Sequence, residues 1–182
     1  LVNLYRVNKS WMKYAFETKK VTQSEYNKFM SLNVTSSPIY LTKALAAGGG
    51  CVVAPYQITQ GSLPSIEVTI VLNNFYTNIV FPVDFDLLAT TTIGEFSAAL
   101  LANNPAVHEG DQLSFIMMTQ QVNADNGIPY VVVRKYELLI NSTSTQLVKD
   151  YLPLDYIGVI QDGNLTMLYV KISGLAGGFV LI

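Results

Sequence analysis

Residues that usually build a catalytic or metal site are scarce in this sequence. Cys51 is the only cysteine, which excludes an intrachain disulfide and a cysteine metal cluster. His108 is the only histidine, which excludes a two-histidine metal site within one chain. Because His108 lies beside Glu109 and Asp111, its setting is typical of an exposed loop histidine.

Charge is also scarce, at 13% of residues against a usual share of about 25%. Half of the residues are hydrophobic, and the low charge fraction together with a positive mean hydropathy argues against a disordered chain. No apolar run approaches the roughly 18 residues of a membrane helix, so we expect no membrane partner. Two interpretations fit this composition. The chain is either a strand-rich, well-packed domain or a domain whose apolar surface is covered by another chain.

The glycine-rich and acidic segments lack the spacing that a chemical site requires. Gly48–Gly50 is not followed by a Lys-Ser or Lys-Thr pair, so it is not a nucleotide phosphate loop. Gly174–Gly178 lacks a dinucleotide-binding spacing and predicts a bend. Asp84 and Asp86 alternate on a predicted strand, where paired carboxylates usually face solvent, and loop 123–126 offers too few ligands for calcium. We therefore expect no catalytic, cofactor or metal residues, and we interpret the protein as not an enzyme.

Residues 1–38 predict a helical hairpin. Apolar residues recur at steps of three and four and predict a helix over Val2–Thr18; they are Leu4, Val7, Trp11, Met12 and Ala15. Thr22 and Glu25 have the spacing of a capping box that opens a second helix. Asn33 and the turn-forming segment Thr35–Pro38 end that helix.

Residues 39–182 predict a β-rich body with one helix near 93–102. The capping box of Thr92 and Glu95 opens that helix over Ile93–Ala102, and a short helical piece is expected around Gln146–Tyr151. Strands are predicted at Cys51–Thr59, Ser65–Leu72, Asn78–Phe85, Gln112–Val122, Pro129–Asn141, Leu154–Ile160 and Leu165–Ile172, with a last strand leading from Gly178. The fold class is therefore α+β: an N-terminal helical hairpin followed by a mainly antiparallel β-sandwich or open barrel with one inserted helix, in one compact domain of 182 residues.

Basic residues concentrate at the front of the chain. Residues 1–43 carry seven basic and two acidic side chains, a net charge of +5, whereas the remainder carries four basic and eleven acidic ones, a net charge of −7. Such a basic end can bind nucleic acid or the acidic body of a neighbouring copy, or it can be a solvated helix face. The candidate interaction residues are Arg6, Lys9, Lys13, Lys19, Lys20 and Lys28.

A set of short motifs gives the chain a family resemblance. They are Phe16-Glu17-x-Lys19-Lys20, Tyr26-Asn27-x-Phe29, Tyr40-Leu41-Thr42-Lys43, Val53-Ala54-Pro55-Tyr56-Gln57-Ile58, Gly61-Ser62-Leu63-Pro64, Gly110-Asp111-Gln112-Leu113-Ser114, Pro129-Tyr130, and Ser173-Gly174-Leu175 before Gly178-Phe179. In this order they resemble a family of uncharacterised proteins from Bacteroidota and their phages and mobile elements. The resemblance implies a bacterial or phage origin and brings no catalytic residues. Members carry a basic segment before this region and a strand after it, which implies that this chain lacks residues at both ends.

These observations lead to a hypothesis of a non-enzymatic structural or assembly protein, such as a multi-copy component of a phage virion or a similar particle. Self-association or contact with other structural proteins is the expected partnership. The alternatives are a monomeric peptide- or glycan-binding β-module that uses some of the eleven tyrosines, and nucleic-acid association through the basic helices. With no signal peptide at the start of the sequence, we expect a virion or the bacterial cytoplasm as the location.

Overall fold

Helices and strands follow the predicted order, although several of their bounds differ. The structure, a computed structural model, describes residues 1–13, 15–16, 23–36, 51–52, 56–60, 66–71, 74–152, 157–161, 164–168 and 175–181. Within these residues the helices are α1 Val2–Met12, α2 Glu25–Asn33, α3 Ile93–Asn103 and a short 3₁₀ helix at Val148–Asp150. The strands are β1 Cys51–Val52, β2 Val68–Val71, β3 Asn74–Val80, β4 Gln112–Val122, β5 Pro129–Leu139, β6 Ile157–Gln161, β7 Asn164–Leu168 and β8 Leu175–Leu181.

The described strands form two four-stranded sheets. In the first the order is β1-β8-β4-β5, with β8, β4 and β5 antiparallel and the two-residue β1 parallel to β8. In the second the order is β2-β3-β7-β6, and every pair is antiparallel. In the part of the chain that the structure describes, neither sheet closes on itself. Separate helices and open, mainly antiparallel sheets define the α+β class, which confirms that prediction.

The hairpin of β4 and β5 is a long, regular ladder in which eleven residues of one strand face eleven of the other. At its open end, Gly110 N donates to Ile140 O at 2.9 Å, and Ile140 N donates to Asp111 O at 2.8 Å. Gly110 and Asp111 therefore both lie opposite Ile140, and Gly110 has φ 89°. This arrangement is a glycine bulge, which ends the ladder and increases its twist.

The tip of the same hairpin is built from asparagine side chains. Asn123 Oδ1 accepts a hydrogen bond from Asp125 N at 2.8 Å, and Asn126 Oδ1 accepts one from Ile128 N at 3.0 Å. Gly127 has φ 69°, in the left-handed region that glycine adopts without strain. The amide oxygens of Asn123 and Asn126 therefore hold the turn.

The hairpin buries side chains on both of its faces, because successive residues of a strand point to opposite sides. On one side, which we call the α1 face, Ile116, Met118 and Val133 pack with an N-terminal cluster of Leu4, Tyr5, Trp11, Met12, Phe16 and Phe29. On the other side, the α3 face, Leu113, Phe115 and Leu138 pack with Ile79, Phe81, Ile93, Phe96 and Leu100. The hairpin is thus the wall between two hydrophobic cores.

Helix α3 begins and ends through side chains that bind the backbone. Thr92 Oγ1 accepts from Glu95 N at 3.1 Å, while Glu95 Oε2 accepts from Thr92 N at 2.8 Å. The predicted capping box is therefore confirmed. At the other end, Asn104 Oδ1 accepts from Val80 N at 2.9 Å, and Asn104 Nδ2 donates to Val80 O at 2.7 Å. This side chain binds both backbone groups of the last residue of β3, as a neighbouring strand would.

The N-terminal helices are shorter than predicted. Helix α1 ends at Met12 rather than Thr18. After it, Ala15 N donates a hydrogen bond to Met12 O at 3.1 Å, which forms a turn. The carbonyl of Ala15 accepts a hydrogen bond from Gln60 N at 2.8 Å. This tertiary contact occupies the acceptor that the next turn of a longer helix would use. The N-cap of α2 is Ser24, whose side chain accepts from Asn27 N, and a helix opening at Thr22 was wrong. Thr22 and residues 17–20 lie outside the described residues.

Two predicted strands also change. Of the predicted strand Cys51–Thr59, the structure describes Cys51 and Val52 as strand and residues 56–59 as irregular, while residues 53–55 lie outside the described residues. The strand predicted at Asn78–Phe85 begins earlier and ends at Val80. Pro82 has no N–H for a ladder, and its carbonyl accepts from Phe85 N in a turn. The prediction that Asp84 and Asp86 alternate on a strand was therefore wrong.

Gly94 provides a test of how closely α3 packs. A Cβ added there would lie 2.7 Å from Ser144 O and 3.0 Å from Ser142 O. Replacing a helical glycine with alanine ordinarily stabilises a protein by about 0.5–1 kcal/mol. Here we expect Gly94→Ala to lower the free energy of unfolding by roughly 1–3 kcal/mol because of overpacking, measured by chemical denaturation. Ala98→Ser, on the exposed side of α3, should change it by less than about 0.5 kcal/mol. Unchanged stability of Gly94→Ala would contradict the packing.

The capping box also predicts a pH dependence. The backbone N–H of Thr92, and then its hydroxyl, hold the pKa of Glu95 below its ordinary value. This stabilisation should be present above the ordinary pKa of glutamate and lost as the pH falls through the lower pKa of the folded state. An NMR titration of the Glu95 carboxyl carbon should show the lowered pKa, and Thr92→Ala should raise it part of the way back. A wild-type pKa at the ordinary value would contradict the geometry.

Candidate interaction surface

Helix α1 presents a basic stripe on its exposed side. Arg6, Lys9 and Lys13 are all exposed and follow one another at steps of three and four residues, which places them along one side of the helix. Val2 lies on the same side, with 57% of its surface exposed. We call Arg6, Lys9 and Lys13 the basic stripe. The structure therefore brings together three of the six predicted interaction residues.

The other predicted interaction residues are placed differently. Lys28 lies on α2 and is half-buried next to the fully buried Phe29. Lys19 and Lys20 lie outside the described residues. The residues whose spacing on one helix places them together are Arg6, Lys9 and Lys13, so the candidate site is the stripe on α1.

The side of α1 opposite the basic stripe packs into the N-terminal cluster and so fixes the position of the helix. Leu4, Trp11 and Met12 are buried against the α1 face of the hairpin. Tyr5 packs edge-on against Tyr26 at 5.0 Å between ring centres and lies 5.6 Å from Phe29. Burial, with a smaller contribution from the charge of Glu25, raises the pKa of Tyr5. Aromatic pairs of this kind contribute about 0.5–1.5 kcal/mol beyond their burial, so α1 has a defined orientation on α2.

Two buried polar atoms on the same side of α1 have no hydrogen-bond partner within the described residues: Asn8 Oδ1 and Trp11 Nε1. Leaving such an atom unpaired costs about 1–3 kcal/mol. The amide nitrogen of Asn8 is satisfied, since it donates to Leu4 O at 2.9 Å. Helix α1 is therefore held by its apolar and aromatic side chains despite a polar cost.

A polar network also connects α1 to the hairpin. Lys135 Nζ donates to Ser10 Oγ at 2.9 Å and lies 2.8 Å from Glu137 Oε1. The same carboxylate oxygen accepts from Gln112 Nε2 at 2.7 Å, and Gln112 also reaches Ser114 Oγ at 2.9 Å. The side chain of Lys135 is only 16% exposed, and Glu137 provides the carboxylate that pairs with it. Sequence reasoning missed this pair, although two opposite charges at a two-residue spacing on a strand necessarily share a face.

A second contact missed by the sequence fixes the segment 56–60 beside α2. Asn33, the last residue of α2, is fully buried. Its Oδ1 accepts from Gln57 N at 2.7 Å, and its Nδ2 donates to Gln57 O at 2.8 Å. Asn33 was expected only to end a helix. Its amide instead binds both backbone groups of a residue 24 positions away, as Asn104 does at Val80.

Acidic side chains gather around the start of α3, on the other side of the hairpin. Backbone bonds from Ile93 N to Gln146 O at 2.7 Å and from Val148 N to Thr91 O at 3.0 Å join this end of α3 to the 3₁₀ helix. The exposed carboxylates of this region are Asp86, Glu95, Glu109 and Asp150, and the exposed Lys149 lies beside Asp150 in the sequence. We call these four carboxylates, together with the exposed Asp84 two residues before Asp86, the acidic pole. Two exposed apolar side chains lie among them, Val83 at 97% and Leu88 at 57%.

The remaining candidate side chains do not converge on a chemical site in the described residues. The side chain of His108 is 70% exposed, with Nδ1 3.7 Å from Asp111 Oδ2. Asp111 instead accepts from His108 N at 2.7 Å and holds the loop. Across the described ranges there is no group of three or more His, Cys, Asp or Glu side chains placed to hold a metal ion. Likewise, none of the described helices is long and apolar enough to cross a membrane.

Comparisons with protein-family models, curated proteins and solved structures found no match to this chain. The described geometry defines an α+β protein with two open, mainly antiparallel sheets. A basic stripe lies on one side of its central hairpin and an acidic pole on the other.

The polar network predicts that Glu137 contributes to stability. Glu137→Gln keeps the shape of the side chain but removes the charge beside the half-buried ammonium of Lys135. We expect the free energy of unfolding to fall by about 1–2 kcal/mol, since hydrogen bonds to charged groups are the stronger ones and Glu137 is partly exposed. Asp125→Asn, at the exposed hairpin tip, is the matched control. Equal stability of the two variants by denaturation would show that the network contributes nothing.

Proposed function

We propose that the protein is a non-enzymatic structural protein that assembles from many copies through head-to-tail contacts, as a component of a phage virion or a similar particle does. The observation that supports this proposal is the separation of charge across the β4–β5 hairpin. The basic stripe belongs to the helix on the α1 face, whereas the acidic pole surrounds the start of the helix on the α3 face. A stripe that binds the pole of the next copy makes a heterologous contact, which repeats into a ring or a filament.

Charge alone is too weak to hold such a contact. An exposed ion pair contributes about 0–1 kcal/mol and is screened by salt. Each of the two surfaces, however, also carries exposed apolar side chains: Val2 beside the basic stripe, and Val83 and Leu88 within the acidic pole. An apolar centre with a charged rim is the usual composition of a protein interface. The charges would then steer the encounter, while the apolar side chains contribute burial.

The resemblance to uncharacterised proteins of Bacteroidota and their phages implies a bacterial or phage origin, with which a virion component is compatible. A protein of this kind needs no catalytic residues, in keeping with the interpretation that the chain is not an enzyme. It would act in a virion or in the bacterial cytoplasm. Among the described residues, the peptide- or glycan-binding alternative has no specific structural observation in its favour, since the exposed tyrosines there, Tyr130 and Tyr151, lie on different elements.

Two features of the fold, the helical hairpin and the β-sandwich, are also proposed. We infer that α1 and α2 form a helical hairpin, because the ring of Tyr5 contacts both Tyr26 and Phe29. We also infer that the two sheets form a β-sandwich. Supporting this, Ile79 and Phe81, at the end of β3, share a cluster with Phe115 of the other sheet.

A charge-reversal pair tests the head-to-tail contact. One variant carries Arg6→Glu, Lys9→Glu and Lys13→Glu on the basic stripe, and the other carries Asp84→Lys, Asp86→Lys and Asp150→Lys on the acidic pole. We expect the wild type to form a large assembly at low salt that dissociates as salt shortens the Debye length to about 3 Å at 1 M. Neither variant alone should form the large assembly, because its stripe and pole repel. Light scattering measures the masses, and an equimolar mixture of the two variants should assemble again.

The mixture separates this proposal from nucleic-acid binding. Restored assembly requires that the stripe of one copy meet the pole of another, whereas general loss of folding would leave the mixture monomeric. A wild type that stays monomeric at low salt would overturn the proposal. If that monomer bound DNA with a steep salt dependence, and the stripe variant did not, the basic stripe would be a nucleic-acid surface instead.

A further inference from the structure

Strand β5 forms an edge of the first sheet. On its inner side it pairs with β4 along all eleven residues, and β4 in turn pairs with β8. In the described ranges no strand pairs with the outer side of β5. An exposed edge offers a row of unpaired N–H and C=O groups to a further strand. Exposed apolar side chains lie on the same hairpin: Val122, Ile128, Tyr130, Val131 and Leu139.

The residues whose backbone groups point outward follow from the ladder. In an antiparallel pair, hydrogen-bonded residues alternate with residues that point away from the partner. Ile140 bonds to Asp111 at one end of the hairpin, and Ile128 accepts from Asn123 N at the other. The register between them is continuous, so the even-numbered residues of β5 bond to β4. The outward groups are therefore those of the odd-numbered residues Val131, Val133, Lys135, Glu137 and Leu139.

The charges on this edge are complementary to those of a second copy. We propose that β5 pairs antiparallel with β5 of another copy of this chain, about a two-fold axis at Tyr136. In this register Lys135 lies opposite the second copy's Glu137, and by symmetry the same pair forms twice. All four residues have outward backbone groups, so they occupy hydrogen-bonded positions of the new ladder. Opposite charges across a ladder stabilise it, and like charges destabilise it.

The neighbouring positions agree with the same register. Val133 lies opposite Leu139, which is 54% exposed, so an apolar pair flanks the charged pairs on each side. The ladder ends naturally, because Asn141 N is already bonded to Ser97 Oγ at 3.0 Å and Pro129 has no N–H. Two-fold axes at Arg134, Lys135 or Glu137 would instead place like charges directly opposite each other. The register at Tyr136 avoids this.

This contact is distinct from the head-to-tail contact and does not depend on it. The pairing of β5 with itself is isologous and stops at a dimer, whereas contact between the basic stripe and the acidic pole repeats. Backbone hydrogen bonds are also less sensitive to salt than exposed ion pairs. At high salt the head-to-tail contact should therefore dissociate first and leave the β5 dimer.

Amide hydrogen exchange of the wild type, followed by NMR at high salt, tests the pairing without any substitution. At low protein concentration the amides of Val133, Lys135, Glu137 and Leu139 should exchange fast. The amides of Val132, Arg134, Tyr136 and Leu138 should be protected by β4. At high concentration the first group should become protected by about tenfold or more as the mass doubles. Fast exchange of this group at high concentration would overturn the proposal, as would protection already present in the monomer.

A pair of charge variants provides the second test. Lys135→Glu gives two acidic residues on the edge, and Glu137→Lys gives two basic ones, so each homodimer is repulsive in this register. The equimolar mixture places glutamates opposite lysines at every charged position, and we expect a heterodimer at least about tenfold more stable than either homodimer by sedimentation. Loss of the intrachain Lys135–Glu137 pair would lower folding stability in both variants and would not favour the mixture. Equal association of mixed and unmixed samples would overturn the register.

Discussion

The alternation of side chains along the β4–β5 hairpin is the constraint on which the rest of the structure depends. One set of side chains, including Ile116 and Met118, points to the N-terminal helices, and the other, including Leu113 and Phe115, points to α3. A shift of one residue in the pairing would exchange the two sets and disrupt both cores at once. The uninterrupted register, the glycine bulge at Gly110 and the asparagine turn at the tip all serve to prevent that shift.

Outside the hairpin, two asparagine side chains connect distant parts of the chain. Asn33 ends α2 and binds both backbone groups of Gln57, while Asn104 follows α3 and binds both backbone groups of Val80. In each case one amide side chain binds the N–H and the C=O of a single residue, because an amide carries a donor and an acceptor as a peptide group does. The two asparagines thus satisfy backbone groups that have to find hydrogen-bond partners.

The same hairpin relates the proposed assembly surfaces. It places the basic stripe and the acidic pole on opposite sides, so that two copies can meet without their like charges facing each other. Its outer strand, β5, also provides an edge for the proposed pairing. When two copies are related by a two-fold axis there, Lys135 of each copy lies opposite Glu137 of the other. The low charge content of the chain therefore matters less than where its few charges lie. The proposed contacts would use Arg6, Lys9 and Lys13 on a helix and two residues on a strand.

Features that depend on neighbouring residues were determined by the sequence alone. The α+β class, the capping box of Thr92 and Glu95, and the two long strands around the loop at Asn123 all follow from local hydrogen bonds and side-chain periodicity. Features that depend on distant residues were decided only by the tertiary structure. Helix α1 stops at Met12, and the Ala15 carbonyl accepts a hydrogen bond from Gln60 N. Lys135 pairs with Glu137 and donates to Ser10 of α1. The basic stripe could be predicted in part, since helical spacing is local. The acidic pole could not, because long-range packing alone brings Asp86, Glu109 and Asp150 to the start of α3.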